Sequence, residues 1–145
     1  MEIPVVKIKL VREGKIDTQN KISSPKDASK IMYEYLDGVD REHLGVMCLN
    51  TKNIIMNITT VHIGSLNSSI AHPREIFKTA ILSNAASIII FHNHPSGDTN
   101  PSNEDISITL RIKESGKILG IELLDSMIIG ENIENGYYSF KESYF

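Results

Sequence analysis

The sequence predicts an α/β fold in which a mixed β-sheet is flanked by helices. Three observations carry that prediction. Stretches of alternating apolar residues are interleaved along the chain with stretches whose apolar residues fall at helical spacing. Ser87-Ile88-Ile89-Ile90-Phe91 reads as a continuous apolar strand, the pattern of a central strand covered on both faces. The 145 residues, 41% hydrophobic and 23% charged, suit one domain with enough apolar material for a core. No repeat, low-complexity tract or long linker divides residues 1–145.

The elements follow in order. Ile3-Pro4-Val5-Val6-Lys7-Ile8-Lys9-Leu10-Val11 is β-branched and partly alternating, which predicts a first strand. Ser24-Pro25-Lys26-Asp27 is a helix start, with a capping serine, proline at the first helical position and an acid three residues after the cap. Ala28, Ile31, Met32, Tyr35 and Leu36 continue it, and Gly38 ends it. His43–Leu49 and Ile54–Ile63 are two strands joined by the turn Asn50-Thr51-Lys52-Asn53, and Gly64-Ser65-Leu66-Asn67 breaks the second. A helix starts at Pro73, helped by His72, and runs to about Asn84. After the central strand and a loop rich in Pro, Ser, Gly and Asn, a third helix spans Ser102 to Ser115 and closes at Gly116. Ile121–Ile129 and Tyr137–Phe140 are the last strands.

Composition excludes several functions. Lys and Arg number 15 against 18 Asp and Glu, a net charge of −3, whereas phosphate-gripping proteins usually carry a basic surplus. Neither half supplies one: residues 1–72 hold 9 basic and 8 acidic side chains, and residues 73–145 hold 6 and 10. The expectation is no direct nucleic-acid binding. A single cysteine, Cys48, excludes a disulfide scaffold and any cysteine-based zinc ribbon, and reads as a buried small hydrophobe. Lys7, Lys9 and Arg12 interrupt the early apolar stretch, and no run is long enough to span a bilayer. A cytoplasmic protein without membrane attachment is expected.

The segment that carries chemistry runs from Phe91 to Asp105. His92 and His94 sit where the buried strand leaves the sheet, and residues two apart on an extended chain point the same way. The carboxyl end of such a strand is where open α/β sheets place their sites. Pro95 and Ser96-Gly97-Asp98 turn the chain, so the first turn of the next helix can bring Asp105 back. Two imidazoles and one carboxylate leave a fourth tetrahedral position open, as in catalytic zinc sites. The same donors admit iron, cobalt or nickel, with zinc the first choice. Ser102-Asn103-Glu104-Asp105 also reads as a capping box, a role Ser102 can fill while presenting its hydroxyl to the site. Asp98 rivals Asp105 as a ligand but fits the turn better. A His-x-Glu zinc deaminase is excluded for want of cysteine ligands.

His92-x-His94, seven residues, Ser102, two residues, Asp105 resembles the JAMM signature of the JAB/MPN metallopeptidase superfamily. The flanking text resembles its bacterial RadC-like branch, in Leu49-Asn50-Thr51-Lys52-Asn53, Gly64-Ser65-Leu66-Asn67, His72-Pro73-Arg74-Glu75, His92-Asn93-His94-Pro95-Ser96-Gly97-Asp98 and Pro101-Ser102. The resemblance covers residues 41–140 and leaves a strand and helix in 1–40. It implies a cytidine-deaminase-like layered fold and one zinc held by His92, His94 and Asp105. Ser102 would steady the attacking water or the oxyanion. Glu42, placed just before an early strand, would be the general base, although Glu34, Glu75 and Glu104 compete for that role. The implied reaction is hydrolysis of a peptide or isopeptide bond in an unidentified peptide or protein substrate. The alternative is a non-catalytic zinc-containing module, accessory to DNA repair. Two departures from the branch stand out: residues 1–40 do not read as a helix-hairpin-helix region, and Asp125 is followed by Ser126 rather than histidine.

Overall fold

A computed structural model describes residues 1–131 and 136–145. Its elements are α1 (Pro25–Tyr35), β1 (His43–Leu49), β2 (Ile55–Ile63), α2 (Pro73–Leu82), β3 (Ser87–Asn93), α3 (Asn103–Leu119), β4 (Glu122–Ile129), β5 (Tyr137–Ser139) and α4 (Phe140–Ser143). The strands form one sheet in the order β2-β1-β3-β4-β5. Among the described strands only β3 and β4 run parallel, joined through α3 as a βαβ crossover. The fold is thus the α/β class that the sequence predicts, with a mixed sheet and helices on both faces.

Each face of the sheet buries its own cluster. Val46, Cys48, Ile88, Ile90 and Leu123 pack against Ile76, Phe77 and Ala80 of α2 and Ile108 and Ile112 of α3. Met47, Leu49, Ile89, Phe91, Met127 and Ile129 meet Ala28, Ile31 and Met32 of α1 on the other side. The alternation of β3 between the two clusters explains why its sequence is apolar without a break. Cys48 belongs to the first cluster, and burial pushes its thiol pKa up to about 11, so it behaves as the apolar side chain expected.

Local chemistry sets the boundaries. Ser24 caps α1, its Oγ accepting the Asp27 N–H at 3.2 Å, and Gly38 lies beyond the helix at φ +79°. In the β1–β2 turn, Asn50 Oδ1 accepts the N–H groups of Lys52 and Ile54, while Asn53 takes a left-handed φ of 57°. His72 starts α2 as expected, with Nδ1 accepting from Arg74 N–H at 3.3 Å. Asp125, on β4, is buried and ties down the C-terminus. It accepts from Ser126 N–H at 2.7 Å, Ser139 Oγ–H at 2.6 Å and Lys141 N–H at 2.9 Å. Burial moves its pKa upward against those three donors.

Three expectations need correction. Residues 3–11 form no strand: they lie outside the sheet, with Val5 100% and Ile8 74% exposed. Their pattern suits an extended backbone, but a strand exists only by pairing, and pairing begins at Lys21, which bridges Ile54. The third helix does not close at Gly116 but runs to Leu119, capped by Gly120 at φ +71°. Gly116 serves close packing instead, since a Cβ there would run into the Ile121 carbonyl oxygen. Phe140 begins α4 rather than ending a strand. Among the described residues no helix is long and apolar enough to cross a membrane.

Candidate metal centre

The site forms at the carboxyl end of β3. His92 lies on the same side of the strand as Ile88 and Ile90, and so faces α3. His94 follows one step beyond the strand, held by its N–H to the Ile129 carbonyl at 3.1 Å. The two imidazoles converge, Nε2 to Nε2, at 3.2 Å. The loop through Gly97, at φ +84°, returns the chain to α3, whose first turn carries Asp105 to the same point. Asp105 Oδ1 is 3.0 Å from His92 Nε2, and Oδ2 is 3.1 Å from His94 Nε2. His92 and Asp105 are 5% and 4% exposed, while the His94 side chain is 17% exposed, so the cluster is buried at its base and reached by solvent at His94.

Asp105 is fixed by the capping box read in the sequence. Its Oδ2 accepts Ser102 N–H at 2.8 Å, and Ser102 Oγ accepts Asp105 N–H at 3.1 Å. Burial raises the Asp105 pKa, but the His92 and His94 imidazoles overcome it and hold the carboxyl well below the usual carboxylate range. Asp98 fixes the turn: its side chain accepts Asn100 N–H at 3.0 Å and does not join the cluster. Its backbone carbonyl accepts from His94 Nδ1 at 2.6 Å. That bond places the proton on Nδ1 and leaves a bare lone pair on Nε2 of the neutral ring, aimed at the Asp105 carboxylate. A lone pair facing an anion requires a cation between them, either a proton or a metal ion. The His94 pKa is accordingly raised, first by its hydrogen bond to Asp105.

Glu42 also approaches the imidazole pair. It precedes β1 and is half-buried, and its carboxylate lies with the His92 and His94 nitrogens inside a 4.8 Å group that could hold a metal ion. Gly64 N–H binds the Glu42 carbonyl at 2.8 Å, and Leu66 N–H reaches Glu42 Oε2 at 3.4 Å. The Gly64-Ser65-Leu66-Asn67 segment therefore walls the site, and Glu104 and Arg111 of α3 pin it through the N–H and carbonyl of Ser68. The competing Glu75 faces Lys78 at 3.0 Å instead. Ser126 does not reach this cluster; its Oγ bonds Thr109 Oγ1 at 2.8 Å between β4 and α3. Asn93 is the residue that sequence reasoning passed over. Its side chain spans from Arg41 to His43, about fifty positions away in sequence, and no local signal marks such a bond.

The geometry fits a small cation. A tetrahedral zinc with bonds of about 2.0–2.1 Å needs ligand atoms roughly 3.3 Å apart. The two imidazole Nε2 atoms stand 3.2 Å apart, and each lies 3.0–3.1 Å from a different oxygen of Asp105, Oδ1 for His92 and Oδ2 for His94.

Comparison with known proteins agrees with this architecture. Residues 22–145 match the family described as RadC-like JAB domain. A UPF0758 protein of Clostridium acetobutylicum is 57% identical over 122 residues, which are 84% of this chain and 52% of that relative. One from Clostridium botulinum is 57% identical over 128 residues, 88% of this chain and 55% of its own. One from Clostridium kluyveri is 54% identical over 122 residues, 84% of this chain and 52% of its own. The chain spans about half the length of the curated relatives it matches. With the match covering nearly all of the sheet and its helices, the chain belongs to the RadC-like JAB domain family.

Proposed function

We propose that this domain is a zinc-dependent hydrolase that cleaves a peptide or isopeptide amide bond. The observation that carries the reading is the convergence of His92 Nε2, His94 Nε2 and the Asp105 carboxylate, with Glu42 on the adjoining side. His92, His94 and Asp105 would hold the ion. When bound, zinc supplies the Lewis acidity that makes water nucleophilic near neutral pH and polarises the substrate carbonyl. Glu42 takes one proton from the attacking water as its oxygen bonds the carbonyl carbon. Glu42 then delivers that proton to the nitrogen as the C–N bond breaks, which balances the hydrolysis. Asp98 keeps the His94 ring in the tautomer that presents Nε2. Ser102, beside Asp105, would donate its Oγ–H toward the developing oxyanion while Oγ still accepts from the helix.

The test is elemental zinc content of untagged protein purified without chelator, beside His94→Ala. A pool of unrelated peptides and isopeptide-linked conjugates is then incubated with zinc-loaded and zinc-stripped protein. About one zinc per chain, little in the variant, and cleavage only with zinc is the expected result. Absence of zinc even after it is offered back would remove the reading. A zinc-loaded protein that cleaves no member of the pool would leave the interaction module as the better account.

Ser102→Ala separates the two roles of that residue. Loss of the cap should lower stability by about 1 kcal/mol, measured by denaturant unfolding of the zinc-free protein. Turnover should fall more than a tenfold loss, which about 1.4 kcal/mol would explain. Unchanged turnover would leave only the cap.

A further inference from the structure

We infer that Asn93 is a positioning residue that fixes the Glu42 carboxylate relative to the imidazole pair. The β1–β3 ladder ends at the pair Leu44 and His92, at the site itself. Beyond that point the Asn93 side chain takes the place of the next rung. Its Oδ1 accepts the His43 N–H at 2.8 Å, and its Nδ2 donates to the Arg41 carbonyl at 3.0 Å. Those two backbone groups belong to the residues on either side of Glu42. The Glu42 carbonyl is itself held by Gly64 N–H at 2.8 Å. Three bonds thus fix the backbone from which the Glu42 side chain leaves.

The chemistry of the side chain explains why asparagine occupies this position. A primary amide offers an acceptor and a donor in one plane. Aspartate keeps the acceptor and loses the donor, and alanine loses both. Side chains alternate along β3, so His92 and His94 aim at the cluster while Asn93, between them, reaches for β1. Three consecutive residues therefore set both parts of the site: two present their nitrogens, and the third sets where the Glu42 carboxylate beside them stands. This inference rests on the reading of Glu42 as the base, but the position of its carboxylate can be measured without any substrate, because Leu66 N–H bonds Glu42 Oε2.

The experiment is amide hydrogen exchange by NMR on the zinc-loaded protein, with Asn93→Ala, Asn93→Asp and Glu42→Ala. In Asn93→Ala the His43 amide should exchange about tenfold faster, the effect of losing one hydrogen bond, while Val46 and Ile90 in the central strands stay protected. The Leu66 amide, which Asn93 does not touch, should lose protection to the same extent as in Glu42→Ala. Asn93→Asp should keep the His43 protection and still expose Leu66, and it decides the matter if the alanine variant does not fold. Unchanged Leu66 exchange in both Asn93 variants overturns the inference, since a purely local structural role would move His43 alone. With a cleaved peptide from the pool, Asn93→Ala should lower kcat by about tenfold or more with KM little changed, and add nothing in a Glu42→Gln background. Losses that multiply in the double variant also overturn it. Failure of the hydrolase reading has a different mark: wild type cleaves nothing while the exchange pattern is as expected.

Discussion

Replacing Glu42 with Gln is expected to leave zinc content unchanged and to lower turnover by roughly 10²–10⁴-fold, the range that a positioned general base contributes. The substitution keeps the size of the side chain and an oxygen for the Leu66 N–H at its tip, so the wall of the site should remain in place. What it removes is the capacity to take a proton from water and return it to the leaving nitrogen. The check is a parallel measurement of zinc per chain and of cleavage rate on one peptide from the pool. Wild-type turnover in Glu42→Gln would mean that the proton moves by another route, and Glu42 would lose its role. Zinc lost together with turnover would make Glu42 a ligand instead, as its place in the 4.8 Å group with His92 and His94 permits.

The fold was largely legible because most elements carry local chemistry at their ends. Ser24 before Pro25, Asn50 in the hairpin turn and His72 before Pro73 act on backbone groups within a few residues, and each boundary falls where those residues predict. Gly116 shows where local reading fails. Glycine near a helix end reads as a stop, but here its missing Cβ admits the Ile121 carbonyl, a packing demand from the chain beyond the helix. Residues 3–11 fail for a related reason: alternation describes a strand's faces, whereas a strand also needs a neighbouring edge, which no periodicity supplies.

The site divides along the same line. His92 and His94 two apart, and Ser102 and Asp105 three apart, are local patterns, and the structure brings both imidazoles and the carboxylate to one point. One side chain serves both the capping box and the imidazole pair, because Asp105 Oδ2 accepts from Ser102 N–H while its two oxygens face His92 and His94. The sequence brought Glu42 to notice only through the family resemblance, and the structure shows it close to the imidazole pair. Nothing local to Arg41-Glu42-His43 marks that position, since the groups that bond Glu42 and its flanking backbone come from residues 64, 66 and 93.

Asp105→Ala is expected to lower zinc affinity by well over 100-fold, more than the 10–100-fold typical of removing an outer partner of a ligand, whereas Asp98→Ala should cost less than about tenfold. Asp98 lies within the loop and Asp105 in the first turn of the helix that follows it, and both have acidic side chains, so the contrast isolates geometry from charge. Asp105 contributes its carboxylate to both imidazoles at 3.0 and 3.1 Å. Asp98 contributes its backbone carbonyl to His94 Nδ1, which alanine retains, and its side chain only closes a turn onto Asn100. Titration against a competing zinc chelator measures both variants. Asp105→Asn refines the result: it preserves an acceptor for the Ser102 N–H and thus the helix start, but it removes the anion. Weak zinc binding in Asp105→Asn as well as Asp105→Ala would locate the loss in the missing charge rather than in a frayed helix. Equal losses in Asp98→Ala and Asp105→Ala would instead mean that the loop as a whole, and not the Asp105 carboxylate, sets the affinity. Retention of zinc in Asp105→Ala with loss in Glu42→Gln would exchange the two carboxylates, making Glu42 the third ligand and leaving Asp105 as the only carboxylate of the cluster free to move a proton.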